Sequence, residues 1–180
     1  MFPALKNRLP AFSQVFAVFG VISLIIYCWT LIWFFWKLPS WEYFMNLEEM
    51  STLFAYIMAT NLLESLAVLL VVLFLCILLP AKWFRDVFLS SGASLVILSL
   101  GYLMYLSSHI ASNDDSYPTN MVRLIPAVGL LILLLTFLAT RVSILRRLLE
   151  GLADRAVIFS YVFLPIGLVS LLVVIGRNLL

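Results

Sequence analysis

An asparagine and a glutamate stand three residues apart in ATNLLESLAVLLVVLFLCILLP, residues 59–80, a stretch otherwise made almost wholly of hydrocarbon. The Asn61 amide can donate and accept hydrogen bonds, and the Glu64 carboxylate can accept them, pair with a cation or carry a proton. Thr52, Tyr56 and Thr60 lead to Glu64 at intervals of four, so on a helix these residues and Asn61 share one broad face. The other side, with Leu62, Leu66, Leu69 and Leu73, is apolar. A second polar series, Ser91, Ser94, Tyr102, Tyr105 and His109, recurs at spacings near three and four with a gap at Leu98, and Arg123 opens a later apolar run from which its long side chain can snorkel. The expected cluster is therefore Asn61 and Glu64 with Tyr102 or Tyr105, His109 and Arg123. Its first use would be hydrogen bonding between helices, and its second the binding of an external or lipid-headgroup ligand. A proton or ion relay would usually need several ionisable groups at depth, and Glu64 is the one carboxylate there.

Other chemistries find less support. His109 is the single histidine, with no carboxylate or cysteine at ligand spacing beside it, so no metal site is expected. The run LSSGAS, residues 89–94, holds serines but no base within reach to activate one. Ser90 and Ser94 fit close helix packing instead. The acids of ASNDDSYPTN lack the spaced oxygens and late glutamate of a calcium loop. No phosphate loop, dinucleotide fingerprint or paired-cysteine motif occurs, so no cofactor is expected.

The elements that would position these residues follow from composition. Of 180 residues, 64% are hydrophobic and 11% charged, against roughly 45–50% and about 25% in an ordinary globular domain. Apolar runs long enough to cross a bilayer core of roughly 30 Å recur along the chain. Stretches such as LAVLLVVLFLCILL lack the polar–apolar alternation of a membrane barrel. The fold class is all-α: a polytopic bundle with spans at about 11–36, 51–80, 87–110, 121–140 and 156–176, forming a single membrane domain over 1–180. The first run is about twice the length of a signal h-region and ends in bulky aromatics, so a retained helix is expected.

Charge distribution sets the expected orientation. Lys6, Arg8, Lys82, Arg85, Arg141, Arg146, Arg147 and Arg155 fall on alternate connections, and such residues concentrate on the cytoplasmic side. The N-terminus is expected to be cytoplasmic and the C-terminus outside. Trp33, Trp36, Trp41, Trp83, Tyr105 and Tyr117 mark the expected headgroup levels. KLPSWEYFMNLEEM is predicted to lie on the outer surface, with Asn46 and Glu49 forming a capping box that starts the second helix near Leu47. RVSILRRLLEGLADRA places Leu145, Leu148, Leu149 and Leu152 on one face, which predicts a separate cytoplasmic amphipathic helix whose arginines, Arg141, Arg146, Arg147 and Arg155, contact anionic lipid or a partner.

These readings converge on an integral membrane subunit or anchoring module, without catalysis of its own, in a bacterial or archaeal plasma membrane. Its expected partners are membrane lipids and a membrane protein or further copies of the chain, with no nucleic acid. A small transporter or lipid-binding protein using an outward-facing polar crevice at Glu64 is the second expectation. The five-span layout is also similar to that of the membrane portions of alkaline-phosphatase-like headgroup transferases, with which it shares no motif. That similarity implies a catalytic domain on another chain.

Overall fold

A computed structural model describes residues 10–80, 84, 86–112 and 119–179; the side chains at 109–112 and 119–122 fall outside that description. Lys6, Arg8, Lys82, Trp83, Arg85, Asp114, Asp115 and Tyr117, on which part of the topology and loop expectations rest, also lie outside the described residues. Five helices carry the described chain: α1 (Phe12–Trp41), α2 (Leu47–Leu78), α3 (Phe88–Ser112), α4 (Thr119–Arg141) and α5 (Ser143–Leu179). All five are long and apolar enough to cross a membrane, which makes this an all-helical, multi-pass membrane protein.

The helix ends follow from local chemistry. α1 runs past its expected end to Trp41, taking in Pro39, so half of the anticipated surface segment is helix. A tight turn then places the amides of Phe44 and Met45 on the Trp41 carbonyl, at 2.9 and 2.8 Å. α2 starts on the predicted capping box: the Glu49 amide donates to Asn46 Oδ1 and the Asn46 amide to Glu49 Oε2, both at 2.9 Å.

The separate amphipathic helix is not a separate element. Its residues form the first turns of the continuous helix Ser143–Leu179. Gly151 is the one glycine in it before Pro165, and a single interior glycine costs only about 1 kcal/mol relative to alanine, so nothing in the sequence stops the helix between the two segments. Leu145, Leu148, Leu149 and Leu152 line a wedge closed at Val142, with Leu135 and Leu138 of α4 across from them.

α1 and α5 occupy the middle of the bundle. α1 packs on α2, α3 and α5, whereas among the described residues α4 touches only α3 and α5. Contacts between α1 and α5 rise together in number, Gly20 with Ala156 and Ser160, then Tyr27 with Phe163 and Gly167, so these two helices run parallel. The α5 residues buried in the bundle are Ala153, Ala156, Ser160, Phe163, Gly167 and Ser170. They alternate at spacings of three and four, the rhythm of a coiled-coil seam, and all but Phe163 are small. Association within lipid relies on packing more than on a hydrophobic drive, and small residues let backbones come close. A side-chain carbon on Gly20 would fall 2.6 Å from the Ala156 carbonyl oxygen, so only glycine fits that crossing. The apolar core continues on the α3 side of α1, where Val18, Val21 and Ile22 meet Phe88, Ala93 and Val96.

Candidate functional site

On the flank of α1 away from this seam, α2 and α3 scarcely touch each other, and α1 forms the floor between them. A cavity of about 360 Å³ opens there. Ile26, Trp29 and Thr30 of α1 form its floor, Leu100, Leu103, Met104 and Ser107 of α3 one wall, and Glu64 the α2 side together with Ala67 and Val68. Glu64 lies near the midpoint of α2, is exposed into this space, and has no hydrogen-bond or ion-pair partner among the described residues. A charged carboxylate held at membrane depth costs about 2.5–3.5 kcal/mol on insertion scales. Nothing described within the chain offsets that.

One turn before it, Asn61 is 3% exposed. Thr30 Oγ1 lies 3.1 Å from Asn61 Oδ1 and 2.9 Å from the Ile26 carbonyl oxygen, and its one hydrogen serves a single acceptor at a time. Asn61 Nδ2 is buried without a hydrogen-bond partner among the described residues. With the amide turned by half a rotation, Nδ2 donates to Thr30 while Thr30 donates to Ile26, and the chain of donors closes. In either arrangement Asn61 fastens α2 to α1.

The polar stripe on α2 thus serves two directions. At about 100° per residue each step of four overshoots a full turn by about 40°, so Thr52 and Glu64, three steps apart, differ by about 120°. Thr52 and Tyr56 face the end of α5: Arg177 donates to Thr52 Oγ1, and Asn178 Nδ2 donates to the Tyr56 hydroxyl at 2.9 Å. Glu64 turns instead toward α1 and α3.

A second cavity of about 410 Å³ shares Trp29, Thr30 and Ser107 with the first and adds Trp33, Trp41 and Lys37. The two adjoin along the residues they share and are taken together as one groove, with Glu64 in the first part, Lys37 in the second and Trp29 bordering both. Tyr102 is half-buried and Tyr105 exposed, off the face of α3 that lines the groove. The side chain of His109 lies outside the described residues. Arg123 is exposed on α4, a helix with no contact to α2 among the described residues. The groove therefore brings Glu64 together with Trp29, Thr30 and Ser107, none of which stood out in the sequence. A hydroxyl inside each of two apolar runs was the available signal.

The four arginines at the start of α5 and the end of α4 divide into pairs. Arg141 lies 5.0 Å from the centre of the Phe137 ring, and Arg146 pairs with Glu150 at 2.8 Å. Arg147 and Arg155 line a recess of about 510 Å³ instead. Among the described residues no three histidine, cysteine or carboxylate side chains converge as a metal site would require.

Protein-family models, curated proteins and solved structures yield no match to this chain. Functional inference therefore rests on the groove and its chemistry.

Proposed function

We propose that this chain is a non-catalytic membrane subunit whose groove at Glu64 seats a transmembrane helix of a partner chain. One observation carries the reading: an unpartnered carboxylate near the middle of a long apolar helix faces an open groove. Polar side chains inside membranes normally face a partner or a wet cavity. A partner helix carrying lysine, arginine or a hydroxyl opposite Glu64 would supply the missing interaction while filling the space between α2 and α3. In the proposed orientation the N-terminus is cytoplasmic, so the Lys37 end of the groove opens outward in a plasma membrane.

The tryptophans favour a second reading, in which the groove takes a small amphipathic cation. Indole faces attract such groups within about 6 Å of the ring, and Trp29 borders both halves of the groove. An outward-facing carrier or lipid-binding protein would use the same residues.

Mild detergent extraction of the full chain, with a photo-cross-linking residue at Ala67, separates the two. The subunit reading expects a discrete cross-link to a second membrane chain, lost in Glu64→Lys. A lone monomer that retains a small molecule, released by the same substitution, would replace that reading with the second.

A further inference from the structure

The recess beside Arg147 and Arg155 lies on α5, apart from the groove, and holds independently of the function proposed for it. Its lining includes Leu24 of α1 and, along α5, Arg147, Gly151, Arg155 and Phe159. The two arginines stand one turn to either side of Gly151, about 6 Å along the axis in each direction. No atom lies within 4 Å of where a side chain on Gly151 would begin, so the space between the guanidinium groups is open. The neighbouring cations are otherwise engaged, Arg146 by Glu150 and Arg141 by the Phe137 ring. Arg147 and Arg155 have no carboxylate partner among the described residues. From Arg155 toward the middle of α5, Phe159 and Leu24 give the recess an apolar bed.

We infer that this recess is a binding site for an anionic phospholipid, its phosphate held over Gly151 between Arg147 and Arg155 and an acyl chain lying along Leu24 and Phe159. Guanidinium forks match phosphate oxygens in pairs and hold them with charge-assisted hydrogen bonds. Arginine stems are long enough to converge from adjacent turns while packing on apolar surface. A soluble phosphate would use the cations but leave the apolar bed unfilled, whereas a phospholipid uses both.

The test is retention of phosphatidylglycerol by the full chain, purified from nanodiscs of phosphatidylcholine with a minority of phosphatidylglycerol and read by native mass spectrometry. Substituting both arginines, Arg147→Gln with Arg155→Gln, is expected to lower retention about thirty-fold, following the usual contribution of two basic residues at an anionic surface. Arg141→Gln with Arg146→Gln should retain as much as the parent. Gly151→Leu keeps all the arginines and fills the space between them, so it should lower retention with the fold intact; it decides the matter if the double variant does not fold. Retention unchanged in Gly151→Leu and in the Arg147/Arg155 pair would overturn the site. Displacement of the lipid by inorganic phosphate alone would overturn the lipid assignment in favour of a soluble anion.

Discussion

Along one flank of α1, Gly20 brings its backbone against Ala156 and Ser160 of α5 so closely that one added carbon would strike a carbonyl oxygen. Along the other, Trp29 and Thr30 floor a groove that neither α2 nor α3 closes. The first contact is built from small residues, with Ser23 and Ser160 buried and their hydroxyls unpartnered among the described residues. The second is built from large and polar ones. Shape complementarity holds the bundle together on the first side, and an exposed carboxylate is presented on the second. Under the proposed function, stability and recognition fall on opposite faces of a single helix.

Substitutions can break that contrast, and the largest effect belongs to the seam. Gly20→Leu should separate α1 from α5, at or beyond the upper end of the roughly 1–3 kcal/mol typical of overpacking, seen as a lowered unfolding midpoint in detergent or as aggregation. A stable, monodisperse Gly20→Leu protein would remove the seam from its central position. Gly167→Ala comes next. Its new carbon would meet Tyr27 Oη at 2.5 Å and Leu62 Cβ at 2.9 Å; the tyrosine is buried and stacked on Phe163 and the Cβ is fixed to its backbone, so a loss of about 2 kcal/mol is expected. Between seam and groove lies the Asn61–Thr30 pair. A double-mutant cycle with Asn61→Ala and Thr30→Val should give a coupling of about 0.6 kcal/mol, the usual size of an interhelical hydrogen bond in a membrane. Zero coupling would mean that α1 and α2 are held by packing alone. The smallest effect is at Glu64. With no internal partner, Glu64→Leu should change stability by no more than about 0.5 kcal/mol while abolishing partner capture. A large destabilisation would instead make Glu64 part of the scaffold and close the contrast between the two flanks.

The spans were legible because hydrocarbon depth imposes one long apolar run per helix, and each expected span lies largely within an observed helix. The capping box was legible because its two side chains and two amides are local. What faces Glu64 was not, because spacing on one helix gives a face without saying which neighbour meets it. The slow rotation of a four-residue repeat also sends Thr52 and Glu64 to different neighbours. Arg177 and Asn178, which take up the upper part of the stripe, are distant in sequence from Thr52 and Tyr56. The small residues from Ala153 to Ser170 carried a readable heptad rhythm, but spacing along α5 alone does not say which helix that face meets.

The parallel contact between α1 and α5 also bears on how the protein is made. Gly20 and Ser23 enter the membrane with the earliest of these five helices, but the surface that covers them arrives only with α5. Throughout translation of α2, α3 and α4 this small-residue strip is open to lipid, to the insertion machinery or to the wrong helix. Closure of the bundle is therefore a late event, and synthesis arrested before α5 would leave a membrane intermediate with its principal packing surface uncovered.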